Sequence, residues 1–133
     1  MQSDSIVLPV DPANNATVVN ETFTRYKEAA DRTTYIGSGH TPEMRNEMTI
    51  YRTFPSRSGN FKGTSKSSLK FTWDQEVPGV DSSITLTAPM ILEVSFSLPV
   101  GVTAADVKAF RQRAIAALDA DTFMDGLNIQ LMI

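Results

Sequence analysis

The clearest pattern in the chain is alternation. Between residues 87 and 100, Met90, Leu92, Val94, Phe96 and Leu98 fall on one side of an extended strand, and Ile91, Glu93, Ser95 and Ser97 on the other. Successive side chains of a strand point to opposite faces, so this is one apolar and one mostly polar face. Residues 67–73 repeat the division, with Leu69, Phe71 and Trp73 against Ser68, Lys70 and Thr72. Met48, Ile50 and Phe54 against Thr49, Tyr51 and Thr53 nearly repeat it, with Arg52 the exception. Further β-rich runs at residues 5–10, 16–27, 32–36 and 61–64 are set off by turn signals such as Asp11-Pro12-Ala13-Asn14-Asn15 and the 37–42 loop. The expectation is an antiparallel sheet of six to seven strands, an N-terminal hairpin plus a main sheet.

The period changes after Gly101. Thr103-Ala104-Ala105-Asp106 is a helix start, with a hydroxyl to cap free amides and an acid near the positive end of the dipole. Val107, Phe110, Ala114 and Leu118 then recur at spacings of three and four, and Asp119 or Asp121 opens a shorter helix carrying Phe123, Met124 and Leu127. Strands first and two helices last make an α+β class. The reading is a single domain over 1–133, with strands in 1–100 and a helical dimerisation segment in 101–133.

Two short helices are little cover for so long an apolar face. A half-covered sheet exposes more than the few hundred Å² that a monomer tolerates. The pattern therefore favours an obligate homodimer. Its candidate interface residues are Leu92, Val94 and Phe96 on the strand and Val107, Phe110 and Leu118 on the helix.

Composition narrows the chemistry. With no cysteine and a single histidine, His40, the chain has no disulfide, no thiolate metal site and no thiol nucleophile. His40 lies in a Gly/Ser/Pro loop and reads as solvent-facing; Asp74 and Glu76 read as solvated strand-end acids. Asp119, Asp121 and Asp125 do not have the spacing of a calcium loop. No catalytic residue, metal site or cofactor is expected. No stretch approaches the roughly 20 apolar residues of a membrane span, and the 1–10 segment lacks the basic start of a signal peptide, which points to a cytoplasmic product.

The net charge of -3 hides a split: six basic residues against one acid between Arg45 and Trp73, and an acidic remainder. A basic band on a hydroxyl-rich strand face suits nucleic acid. Lysines and hydroxyls reach phosphates and bases, and Tyr51 is placed to stack on an unpaired base. Arg52, Lys62, Lys66 and Lys70 are the candidates for sequence-independent phosphate contact.

Three runs are similar to the coat proteins of small single-stranded RNA bacteriophages, the leviviruses. Residues 70–78 (KFTWDQEVP) resemble the strand that leads into the loop at the capsid symmetry axes. Residues 92–98 (LEVSFSL) resemble the long strand before the helices, and residues 103–118 (TAADVKAFRQRAIAAL) the first C-terminal helix. The resemblance implies dimers whose sheets join edge to edge, with each subunit's helices packed across the partner's sheet. It further implies a closed icosahedral shell around genomic single-stranded RNA, inter-dimer contacts by the 77–87 and 37–42 loops, and binding of a translational-operator hairpin. Carried over by position, Thr49, Lys70 and Thr72 match the family's RNA surface, and Glu93 and Ser95 occupy two further positions of it. Asp74 stands where relatives have a basic residue, Ile91 where some have a stacking tyrosine, and Tyr51 where a small residue is usual. The resemblance places the protein in the virion, assembled in the cytoplasm of a bacterial host. The competing expectation is a dimeric cellular RNA-binding translational regulator that builds no shell.

Overall fold

A computed structural model of the chain describes residues 3–129. Its strands are β1 (Ser5–Val10), β2 (Val19–Glu28), β3 (Arg32–Ile36), β4 (Asn46–Thr53), β5 (Thr64–Pro78) and β6 (Thr85–Pro99), followed by α1 (Ala104–Asp119) and α2 (Asp121–Asn128). The strands form one antiparallel sheet in sequence order, each pairing with the next. The single register shift is a bulge between Arg25 and Lys27.

The expected alternation holds across this register. Met48 lies opposite Phe71, which lies opposite Leu92; Ile50, Leu69 and Val94 form the next row. Phe23 and Phe71 meet edge to face with centroids 6.1 Å apart, although three strand spacings of about 4.8 Å would part them in a flat sheet. The sheet therefore curls, and the β1–β2 end folds over the apolar face. That curl makes the core: Phe23, Tyr35 and Met48 are buried, with Ile6, Leu8, Ile50, Leu69 and Phe71 packed against them. The Tyr35 hydroxyl donates to the Ser3 carbonyl at 2.8 Å, which satisfies its one buried polar atom.

The strand limits differ from the pattern-based ones at three places, each for a local reason. Residues 16–18 are not strand, because Asn14 and Ala16 take positive φ and the Asp11 carboxylate holds the turn by accepting from the Asn15 and Ala16 amides. No separate strand forms at 61–64. Ser58 and Phe61 pair as one isolated bridge, and the chain then passes Gly63 at φ +100°, where a Cβ would meet the Ser56 carbonyl oxygen at 2.5 Å. β5 and β6 run further toward each other than expected. Only Gly79–Ile84 is left between them, closed by the Gly79 amide donating to the Ile84 carbonyl and by Ser83 donating to the Asp81 carboxylate. The strand count among the described residues is thus six.

The helix start is as expected: the Asp106 amide donates to the Thr103 hydroxyl at 3.2 Å. Yet α1 has no buried residue and makes no substantial contact with any strand. The helical segment is held to the sheet at its far end, where the Asn14 amide group donates to the Asp119 carbonyl and the Asp121 carboxylate. α2 starts at Asp121, settling the choice between the two aspartates.

Asp74 departs from the expectation of a solvated strand-end acid. It is buried and accepts from the Arg45 backbone amide and, twice, from the Arg45 guanidinium at 2.9 and 3.1 Å. The guanidinium hydrogen bond, then the amide one, lower its pKa below the ordinary aspartate value, against the opposing effect of desolvation. A carboxylate whose pKa is depressed on folding stabilises the fold above its unfolded value of about 3.9, and that contribution is lost as pH falls through the lower folded value. Thermal melts between pH 7 and pH 2 should therefore show a steeper acid loss for the wild-type chain than for Asp74→Asn. A second check is the core: Met48→Ala should lower stability by about 2–5 kcal/mol in urea titrations.

Candidate nucleic-acid interface

Burying one face of the sheet fixes what the other presents. On β4 the opposite face carries Glu47, Thr49, Tyr51 and Thr53; on β5, Lys66, Ser68, Lys70, Thr72 and Asp74; on β6, Ile91, Glu93, Ser95 and Ser97. The register arranges them in rows. Thr49 lies beside Lys70 and Lys70 beside Glu93; Tyr51 beside Ser68 and Ser68 beside Ser95; Thr53 beside Lys66 and Lys66 beside Ser97. β3 extends these rows, with Thr34 opposite Thr49, their hydroxyl oxygens 3.5 Å apart, and Arg32 opposite Tyr51.

Seven of the nine residues expected to touch RNA therefore share this face: Thr49, Tyr51, Lys66, Lys70, Thr72, Glu93 and Ser95. They are not equally open. Lys66, Glu93 and Ser95 are exposed and Thr49, Tyr51 and Lys70 half-buried, whereas Thr72 is buried between its neighbours. Arg52 is on the other face, in register with Ser67 and Phe96. Its guanidinium donates to the Ala30 carbonyl at 3.3 Å and lies 5.8 Å from the centre of the Phe54 ring. Lys62 is off the sheet altogether, in the β4–β5 loop beside Arg57 at a hollow of about 580 Å³.

The electrostatics of the face are set by which acids are already matched. Asp74, at one end, is neutralised by Arg45. Arg32 pairs with the adjacent Asp31 at 3.3 Å, while Lys66 and Lys70 enter no ion pair among the described residues. His40 is not a free loop side chain either. It is half-buried, and its Nδ1 accepts from the Asn46 amide at 3.1 Å, tying the β3–β4 loop to the start of β4. No group of three or more metal-ligating side chains occurs among the described residues.

The expected interface residues fall on the other side. Leu92, Val94 and Phe96 share the apolar face, and Leu92, Phe110 and Leu118 are each about half exposed, at 48, 57 and 46 %. Trp73 and Met90 beside them are equally open, at 54 and 51 %. Val107 is half-buried. Sequence reading placed Thr53, Ser68 and Ser97 on the polar strand faces without naming them as RNA candidates, and it did not place Arg32 and Thr34 there. Their parity along each strand was legible, but the β3–β4 pairing that brings Arg32 to Tyr51 was not.

No family model matches the chain and no curated protein does. Solved structures do. The virus-like particle of bacteriophage AVE019 has a chain that superposes with a TM-score of 0.76 at 17% identity, covering 100% of this chain and 99% of that one. That of bacteriophage ESE058 gives 0.72 at 15% identity, covering 100% of both chains. For Wenzhou levi-like virus 4 the values are 0.66 and 26%, over 78% of this chain and 74% of that one. With six antiparallel strands in sequence order and two helices after them, the chain has the fold of the levivirus coat proteins.

Proposed function

We propose that the chain is a capsid subunit that dimerises, assembles into a closed shell and holds single-stranded RNA against the polar face of its sheet. The observation that carries this reading is the open apolar surface. Trp73, Met90, Leu92, Phe110, Leu118, Phe123 and Leu127 are all about half exposed, and an apolar expanse of this kind marks an interaction surface. A second copy is the occupant that fits. β6 is a terminal strand of fifteen residues whose outer edge is unpaired among the described residues. Joining it to the β6 of another copy extends the sheet and sets each α1 over the other's apolar face. The fold shared with subunits of virus-like particles supports the same arrangement.

Contacts between dimers fall to the projecting end of the β5–β6 ribbon. β4 pairs with β5 only as far as Trp73, so beyond that row the two strands run on alone to the 79–84 loop. There Val77, Val80, Ile84 and Leu86 are exposed, Val80 completely. A two-stranded ribbon with an apolar tip is poorly stable in water alone and gains by docking on neighbouring subunits.

The polar face is assigned to RNA because hydroxyls, Lys66 and Lys70 serve phosphate and base edges without sequence demand. The buried Asp74, paired with the exposed Arg45, lies where the resemblance expects a basic residue, so the reading rests on general contact with a genome rather than on one specific operator hairpin. In this reading the protein is located in the virion.

Electron microscopy of purified protein should show uniform closed particles; dimers alone, with or without RNA, would return the protein to the regulator class. Phe110→Asp should abolish the dimer and hence the particle, whereas Val80→Asp should leave dimers intact and stop assembly, as read by size-exclusion chromatography with light scattering. Lys66→Ala and Lys70→Ala should each reduce the slope of log affinity against log salt for single-stranded RNA by about 0.7. Unchanged slopes in both would place the RNA on another surface.

A further inference from the structure

The outer edge of β6 is interrupted at two places, and the backbone hydrogen bonds show where. In an antiparallel pair of strands, opposed residues either exchange both backbone bonds or turn them both away. The Val100 amide donates to the Gly63 carbonyl at 2.9 Å and the Gly79 amide to the Ile84 carbonyl at 2.7 Å. Both pairs continue the β5–β6 register, so the even-numbered residues of β6 are the ones bonded to β5. Asp74, opposite Pro89, agrees: its amide donates away from β6, to the Arg45 carbonyl at 2.9 Å. The odd-numbered residues of β6 therefore turn their backbone groups to the outer edge. Two of them, Pro89 and Pro99, have no N–H to present there.

Between these prolines Ile91, Glu93, Ser95 and Ser97 offer an unbroken run of edge donors and acceptors. At one end of the run the Pro99 carbonyl already accepts from the Val102 amide at 3.3 Å. At the other, Pro89 lies one position beyond Met90, whose partner Trp73 is the last β5 residue that β4 pairs. The run thus spans the body of the sheet and stops where the β5–β6 ribbon leaves it.

Resting on the dimer reading above, we propose that Pro89 and Pro99 set the register in which two copies join, with β6 antiparallel to the partner's β6 and the two-fold axis at Val94. Two-fold symmetry makes the paired segment centre on one point of the strand. Prolines are tolerated at the end of a ladder and not inside it, which confines the pairing to residues 90–98, and Val94 is the middle of that segment. Glu93 then lies opposite the partner's Ser95 and Ile91 opposite the partner's Ser97, and each of the four N–H groups meets a carbonyl. Pro89 faces the partner's Pro99, so neither is asked for a donor. Centring on Glu93 instead sets two carboxylates directly opposite each other, which is destabilising, and leaves the Ser97 carbonyl facing the partner's Pro89. Centring on Ser95 leaves the Ile91 carbonyl facing the partner's Pro99 in the same way. Ending the ladder at Pro89 also keeps the partner's edge off the ribbon, whose tip is then available to other subunits.

The chain has no cysteine, so one introduced thiol reports one contact. Val94 and the partner's Val94 form a non-hydrogen-bonded pair, with Cα atoms about 4.5 Å apart, inside the roughly 4.4–6.8 Å span of a disulfide. Val94→Cys, oxidised with copper–phenanthroline, should shift from a one-subunit to a two-subunit band on a non-reducing gel. Leu92→Cys and Phe96→Cys alone should not, because each is about 13 Å along the strand from its own copy. Co-expressed, those two variants should cross-link to each other, which guards against a defect peculiar to Val94→Cys. Adding Pro89→Val to Val94→Cys supplies an edge N–H and should weaken the two-subunit band, as the centre is released toward the ribbon; an unchanged band would overturn the role given to the proline. If light scattering under reducing conditions shows a dimer while Val94→Cys and the mixed pair both fail to cross-link, the register is wrong and the dimer stands. If the chain is a monomer there, both fall together.

Discussion

Everything in this structure depends on an apolar sheet face that the chain covers at one end and leaves open at the other. Curling brings Phe23 against Phe71 and seals Tyr35 and Met48. Over β5 and β6 nothing comparable happens, because α1 stands clear of the strands and buries none of its own residues. Leaving Trp73, Met90 and Leu92 in water is costly at about 25 cal/mol per Å² of apolar area. In the proposed dimer, an identical copy's uncovered helix would supply the missing cover, and its own open face would receive the same in return. On the proposed reading, dimerisation is less an added property than the completion of the fold.

The polar face follows from the same constraint. With a side-chain period of two, committing Leu69, Phe71 and Leu92 inward commits Ser68, Lys70 and Glu93 outward, and a slip of one residue would exchange the two sets. The long β5–β6 pairing, in which every residue from Thr64 to Pro78 has a partner, makes such a slip unfavourable. The polar surface is in this sense produced by the needs of the core. What adapts it is local: Arg45 cancels Asp74, Arg32 backs Tyr51, and Lys66 and Lys70 are left without carboxylate partners among the described residues.

Much of this was legible in the residues themselves. The alternation in β4, β5 and β6, the Thr103 cap and the stripe of α1 are local features, set by a strand period of two and a helix period of 3.6. The polar-face positions Thr49, Lys70, Glu93 and Ser95 followed from parity along single strands. For Arg52 parity was right and residue type was not: its basic side chain suggested the RNA face, while its position placed it with Met48 and Ile50. Lys62 was grouped with the basic band by proximity in sequence, which loop geometry does not respect.

Tertiary structure decided what depends on residues distant in the chain. Asp74 became a buried ion-pair partner because the β4–β5 register sets it beside Arg45, and no local pattern carries that register. The row of Arg32, Tyr51, Ser68 and Ser95 needs four strands at once, β3 to β6. The curl that makes the core is a property of the whole sheet. The sequence by itself determined which faces are apolar and which polar, because those periods are local. Which apolar surface is covered, and which polar groups meet, required the folded sheet, because covering and meeting are relations between segments far apart in sequence.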